Sequence, residues 1–65
     1  MIVEIIFKSG KTEKYKEIVT VHTEESDGKA IWLERKDHSG PIIAKHLIVM
    51  IKDEWDKILY ESEKK

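Results

Sequence analysis

Three glycine-marked turns decide the fold of this chain: residues 8–11 (KSGK), Glu25–Gly28 (ESDG) and residues 38–41 (HSGP). Glycine adopts the positive φ angles that tight turns require, and an Asp-Gly pair is a strong turn signal. The turns divide residues 1–51 into short runs rich in isoleucine, valine, tryptophan and threonine, which favour strands. The sequence therefore predicts a mainly β fold in a single domain over residues 1–65. We expect a four- to five-stranded antiparallel meander or small barrel.

Alternation along these runs indicates which side chains face the core. Residues 2–7 are apolar on both faces, which predicts a central or doubly covered strand. In residues 29–35, Ile31 and Leu33 share one face and Trp32 lies on the other. Residues 42–51 are too long and too two-sided for an ordinary edge strand. A bulge or bend near Lys45-His46 would let this run serve two neighbouring strands.

The end of the chain has the pattern of a short helix. Asp53 is suited to an N-cap, and acidic residues follow it in what would be the first turn. Trp55, Ile58 and Leu59 then follow helical spacing. We therefore expect a C-terminal α-helix over residues 53–62 that docks its apolar stripe on the sheet or on a partner. A frayed tail over residues 63–65 should follow it.

Composition limits how so small a domain is stabilised and where it works. The chain has 65 residues and no cysteine, which excludes disulfides and thiolate zinc sites. Self-association is the remaining way to add buried surface, so we expect a homo-oligomer. The absence of cysteine fits a reducing compartment, and the first residues lack the basic leader of a signal peptide. The longest apolar stretch is too short for a bilayer, which favours a cytoplasmic protein with no membrane partner.

No group of side chains has the spacing of a catalytic or metal site. His22, His38 and His46 lack a metal-ligand spacing, and the serines lie beside turn glycines where they favour local hydrogen bonds. The acidic pairs fall in a loop and at the predicted helix start, where they have structural roles. The sequence predicts no enzyme activity, no cofactor and no metal.

An apolar surface on the far side of the sheet is the best candidate for binding. Trp32 is opposite the core face of its strand and is a favoured anchor residue in protein interfaces. Two interpretations remain open: the terminal helix covers this surface, or a subunit or protein partner binds it. The second interpretation predicts an interaction surface made of Trp32, Met50, Ile48 and Trp55.

A basic hairpin gives the alternative function. Lysines alternate with other residues around the first turn, and one tyrosine lies among them. In a small Sm-like or oligonucleotide-binding-type barrel, such lysines contact phosphates and the tyrosine stacks on a base. The opposing interpretation is a solvated hairpin whose lysines discourage edge-to-edge pairing. The net charge of −1 and the single arginine, Arg35, argue against a nucleic-acid partner. The residues of the alternative phosphate site are Lys8, Lys11, Lys14, Tyr15 and Lys16.

The two ends of the β region carry a family resemblance. Residues 1–11 (MIVEIIFKSGK) resemble the start of many small uncharacterised β-rich proteins from phages and mobile elements of low-GC Gram-positive bacteria. Residues 47–51 (LIVMI) followed by acidic residues are similar to their endings, so the resemblance covers about a quarter of the chain. It implies an accessory gene product that blocks a host bacterial protein or sequesters a signalling molecule in antiviral defence. Such a product would act in the cytoplasm of the bacterium or of the infected host cell. The resemblance transfers no functional residue.

Overall fold

Two open antiparallel sheets build the protein in the computed structural model, which describes residues 1–62. The four-stranded sheet has the order β2-β1-β6-β7, and the three-stranded sheet has the order β3-β4-β5. The strands are β1 (Val3–Phe7), β2 (Thr12–Tyr15), β3 (Ile18–Glu24), β4 (Ala30–Arg35), β5 (Ile42–Ala44), β6 (Ile48–Asp53) and β7 (Ile58–Glu61). The mainly β antiparallel fold is confirmed. Of the two expected forms, the closed barrel does not occur, because both sheets keep open edges. The described residues form seven strands in two sheets, more than the four or five expected.

The core lies between the two sheets and takes one face from each. Fully buried side chains of the four-stranded sheet meet those of the three-stranded sheet in one cluster. Alternation along β1 and β4 places these residues on the inner faces and leaves the intervening residues outside. The fully buried residues are Val3, Ile5, Ile48 and Ile51 from one sheet and Ile18, Ile31 and Leu33 from the other.

Two connections carry the chain from one sheet to the other. The run over residues 42–51 divides into β5 and β6, which belong to different sheets and are joined by a 3-10 helix over Lys45–Leu47. The predicted bend near Lys45-His46 is therefore confirmed. The other connection joins β2 to β3. Beside it, the Met1 amino group donates to the Ile18 carbonyl oxygen at 2.8 Å. The Ile18 amide donates back to the Met1 carbonyl oxygen at 3.0 Å, so the start of the chain pairs with the start of β3.

Residues Glu25–Gly28, between β3 and β4, form a single tight turn with a left-handed backbone. Ser26 and Asp27 have φ angles of 53° and 60°, and Gly28 has a φ of 83°. These left-handed angles suit Asp and Gly, so the segment works as the tight hairpin turn that its sequence predicts. Nowhere in the described part of the chain is a helix both long and apolar enough to cross a membrane.

The predicted helix over residues 53–62 is wrong, because this segment forms a turn and a strand. The Asp53 side chain accepts hydrogen bonds from the amides of Trp55 and Lys57, both at 2.9 Å. The Asp53 amide donates to the Lys57 carbonyl oxygen at 3.0 Å, which closes the turn. Residues Ile58–Glu61 then pair with β6 as β7. A short helix alone is marginal in water, whereas pairing satisfies the backbone and packs Leu59 and Tyr60 on the core. The predicted tail, residues 63–65, lies outside the described residues.

Candidate functional site

The outer face of the three-stranded sheet presents an aromatic row. His22 of β3 pairs with Trp32 of β4, and Trp32 pairs with Ile42 of β5, so the three side chains form one line across the strands. They point away from the core because Ile31 and Leu33, on either side of Trp32, are fully buried. Ile42 is 61% exposed. We call the surface formed by His22, Trp32, Ile42, Glu34 and His38 the aromatic face.

Stacking and two hydrogen bonds hold the aromatic face in one arrangement. The His22 and Trp32 rings lie 4.9 Å apart between centroids, with 20° between their planes. The Nε2 atom of His22 lies 2.7 Å from Oε1 of Glu34. The other carboxylate oxygen, Oε2, lies 2.5 Å from Nδ1 of His38 in the β4–β5 connection. The Glu34 carboxylate of β4 is therefore hydrogen-bonded both to β3 and to the β4–β5 connection.

The charge state of Glu34 follows from the same contacts. Hydrogen bonds from His22 and then from His38 hold the pKa of the Glu34 carboxyl below its ordinary value. The Glu34 side chain is 14% exposed and His22 is 36% exposed, so the bond between them is partly shielded from water, whereas His38 is 81% exposed. Glu34 is therefore a carboxylate at neutral pH and acts as a fixed acceptor for both imidazoles.

This arrangement suits binding better than metal chemistry. One ring nitrogen of His22 and one of His38 pair with separate oxygens of the Glu34 carboxylate, which makes a hydrogen-bonded chain of three side chains. Within residues 1–62, no three His, Cys, Asp or Glu side chains are grouped so that they could hold a metal ion. What the face offers is a fixed apolar ring with polar groups along its rim.

The structure separates the four residues predicted to form one interaction surface. Trp32 lies on the aromatic face, whereas Met50 pairs with Ile6 on the outer face of the four-stranded sheet. Trp55 is 78% exposed at the turn between β6 and β7. Ile48 is fully buried in the core, so its prediction as a surface residue is wrong. The register shift in β6 explains this, because Phe7 pairs with Ile48 while Ile6 pairs with Met50, and the extra residue turns Ile48 inward.

The residues of the alternative phosphate site fall in two separate places. Lys8 and Lys11 border a groove of about 320 Å³ that Phe7 and Leu47 also line. Lys14 and Lys16 border another groove, of about 420 Å³. The second groove is also lined by acidic side chains, which offset its lysines for an anionic ligand: Glu4, Asp53, Glu54 and Asp56.

Tyr15 has a different role from the one expected in that site. Its ring packs against the core, and its hydroxyl donates a hydrogen bond to Glu13. Burial, with help from the Glu13 carboxylate, raises the pKa of Tyr15 to about 12. Because the Tyr15 ring is packed on the core, it does not present a free face for stacking on a base. The Nζ atom of Lys11 is 3.1 Å from Oε2 of the same Glu13, so this lysine is already paired within the hairpin.

Sequence reasoning identified Trp32 but missed the residues that complete its surroundings. His22, Glu34 and Ile42 join Trp32 only through the cross-strand register. The turn at Glu25–Gly28 indicates that β3 and β4 form a hairpin, but a hairpin centred on that turn would pair residue 22 with Ile31 rather than with Trp32. The contribution of Ile42 depends on the longer β4–β5 connection, whose register the sequence does not fix.

No protein-family model, curated protein or solved structure matches this chain. The contacts of its own side chains are therefore the basis for assigning a function.

Proposed function

We propose that this chain is a non-catalytic interaction protein that binds a protein partner through the aromatic face. The observation that carries the proposal is the position of Trp32, half-buried between a stacked His22 and an exposed Ile42 on an outward sheet surface. A tryptophan in this setting offers a large apolar area together with an N–H donor, the combination typical of interface anchors.

The fixed rim supports binding in a second way. Glu34 holds His22 and His38 by hydrogen bonds of 2.7 and 2.5 Å, and His22 in turn stacks on the Trp32 ring. Side chains that are ordered before binding lose less conformational entropy when a partner arrives. The polar atoms around the ring would then form the wet rim that surrounds the dry centre of an interface.

The proposed mode of action is occupation of a surface rather than chemistry. Such a protein works by steric or competitive binding, and we include self-association as part of the proposal. The resemblance of residues 1–11 implies a host bacterial protein, or a signal in antiviral defence, as the target. The resemblance supplies only this choice of target, whereas the aromatic face supplies the proposed contact.

A capture experiment with matched variants tests the proposal. Immobilised wild-type protein, Trp32→Ala and Trp55→Ala are incubated with lysate of a low-GC Gram-positive bacterium. Trp55 is the control because it is the more exposed tryptophan and lies outside the three-stranded sheet, in the turn between β6 and β7. We expect a protein that wild type and Trp55→Ala retain and Trp32→Ala loses, with all three baits folded by circular dichroism. A partner retained equally by all three would contradict the proposal.

The alternative, nucleic-acid or nucleotide binding by the β1–β2 hairpin, has less support. Lys14 and Lys16 share their groove with four acidic side chains, and Tyr15 packs on the core. Contacts from the hairpin lysines to about four phosphates would give a salt slope of only about −3 to −4 on duplex DNA. We expect no submicromolar oligonucleotide binding at physiological salt in fluorescence anisotropy. Tight binding that disappears when Lys11 and Lys14 become Glu would reverse this ranking.

A further inference from the structure

The four sheet edges differ in how well they are protected against pairing with another strand. The edge strand β2 carries Lys14 and is followed by Lys16, and β5 has three residues and follows Pro41. The edge strand β7 has four residues and ends at Glu61. Lysine, proline and short length are common means of blocking edge-to-edge contact. The fourth edge, β3, has seven residues, no proline and no charged residue before Glu24.

Backbone groups of β3 point outward along this edge. The Leu33 amide donates to the Pro41 carbonyl oxygen at 3.0 Å, so the Leu33 backbone faces β5. Its register partner Val21 therefore directs its N–H and C=O away from β4, and Thr23, two residues further on, does the same. Neither amide has a hydrogen-bond partner on that side among residues 1–62. The start of the edge is different, because Met1 already pairs with Ile18.

We infer that β3 pairs antiparallel with β3 of a second copy of this chain, with the two-fold axis at His22. In this register Val21 lies opposite Thr23 of the second copy, and each such pair exchanges both backbone hydrogen bonds. A register centred on Val21 would instead place Thr23 opposite Val19, where β3 bulges and the ladder is shifted. The His22-centred register is thus the one that uses the outward groups of both Val21 and Thr23.

The occupant is a second copy because β3 is complementary to itself. At neutral pH the pairing brings no like formal charges together, since Glu24 lies opposite Thr20 of the second copy and His22, counted as neutral, lies opposite itself beside the Glu34 carboxylate. It joins two three-stranded sheets into one sheet of six strands and aligns the two aromatic faces in a single row. The inference deepens the proposed function and rests on it in one respect, since it names the contact for the self-association included there.

A pair of single-cysteine variants tests both the contact and its register. The natural chain has no cysteine, so any covalent dimer must come from the introduced thiol. In the His22-centred register the two residues at position 22 form a non-hydrogen-bonded pair with Cα atoms about 4.5 Å apart, within disulfide range. The two residues at position 20 would be about 13 Å apart. With oxidised glutathione, we expect His22→Cys to form a covalent dimer and Thr20→Cys to remain monomeric on a denaturing gel.

A backbone variant tests the hydrogen bonds. Thr23→Pro removes an outward donor that has no partner in the single chain, a position where an edge strand tolerates proline. Losing one donor from each copy should raise the dimer dissociation constant about thirtyfold. Sedimentation equilibrium measures this constant, and circular dichroism checks the fold. The cysteine pair decides the question on its own if the proline variant unfolds.

Three results would overturn the inference: a wild-type monomer at every concentration up to the solubility limit, equal cross-linking of both cysteine variants, or a folded Thr23→Pro variant that dimerises as well as wild type. These results are separable from a failure of the proposed function. A monomeric chain that still captures a protein through Trp32 overturns the β3 contact alone. A dimer that captures no protein through Trp32 contradicts partner binding alone.

Discussion

The outer faces of the two sheets obey the same alternation but carry different surfaces. On the four-stranded sheet, the register aligns Lys14, Glu4 and Lys52 in one row of alternating charge. Asp56 extends this row, with its Oδ1 3.2 Å from the Lys52 ammonium. On the three-stranded sheet the corresponding row is the histidine, tryptophan and isoleucine of the aromatic face.

This difference teaches which outer face is suited to binding. Opposite charges directly across strands contribute about 0.2–1 kcal/mol per pair, and water solvates them well in the free protein. Trp32 and Ile42 instead leave apolar area uncovered, which gains free energy only when something covers it. The charged row is solvated by water in the monomer and includes the Lys52–Asp56 ion pair, whereas the aromatic row leaves Ile42 61% exposed.

The largest effect should come from the two turn glycines. Gly40 has a φ of 132°, and a Cβ atom there would overlap the Leu33 carbonyl oxygen and lie 3.0 Å from its carbon. Gly10 has a φ of 95°, but its added Cβ would meet nothing within 4 Å. We expect Gly40→Ala to cost about 3 kcal/mol or more in the free energy of unfolding, and Gly10→Ala about 1–2 kcal/mol. Urea unfolding of both variants measures the difference. Equal losses of unfolding free energy would show that the β4–β5 connection rearranges to make room for the added Cβ atom.

The second comparison is between the large apolar residues of the outer faces. We expect Trp32→Ala to weaken binding of the captured partner by about 2 kcal/mol or more, roughly thirtyfold. Met50→Ala on the other outer face should change it by less than about threefold. Titration calorimetry gives both affinities. The Trp32→Ala chain should stay folded because Ile31 and Leu33 are untouched; an unfolded variant would assign Trp32 to the core, where truncation costs about 3–5 kcal/mol.

The sequence was sufficient for features that depend on local chemistry and insufficient for those that depend on register. Turn residues and two-residue alternation predicted the mainly β fold, the turn at Glu25–Gly28 and the outward position of Trp32. The segment after Asp53 was misjudged because its capping side chain serves a turn as well as a helix, and pairing with β6 decides between them. Ile48 was misplaced because a single extra residue in β6 reverses which side chains point inward. The hydrogen bonds that Glu34 accepts from two histidines form only when three separate segments come together.

A smaller effect should distinguish the carboxylates of the two regions. The pKa of Glu34 is lowered by hydrogen bonds from His22 and His38, and that of Glu13 by bonds from Tyr15 and Lys11. A carboxyl whose pKa is lower in the folded than in the unfolded state adds stability at pH values above the unfolded pKa. This added stability is lost as the pH falls through the folded pKa. Below about pH 4.3, Glu34→Gln and Glu13→Gln should therefore lose less of their melting temperature than wild type does.

Salt should separate these two carboxylates. The Glu34 side chain is 14% exposed and that of Glu13 is 34% exposed. Their partners His22 and Lys11 are 36% and 68% exposed, and His38, the second partner of Glu34, is 81% exposed. Salt screens exposed charges more than covered ones. Each substitution changes how much the melting temperature falls between neutral and acid pH. We expect high salt to reduce this change more for Glu13→Gln than for Glu34→Gln. The same salt response in both variants would show that the Glu34 bonds are as open to water as the hairpin pair.

The smallest effect concerns Tyr15, the residue that separates the solvated-hairpin interpretation from the base-stacking one. Burial and the bond to Glu13 raise its pKa to about 12, so the neutral phenol is favoured in the folded state. The stability this adds is fully present below the unfolded pKa of about 10 and is lost as the pH rises through about 12. In a titration of tyrosinate absorbance, wild type should show a late component near pH 12 that Tyr15→Phe lacks. If Tyr15 instead titrates near pH 10, its ring is open to water and the hairpin regains the stacking residue that nucleic-acid binding requires.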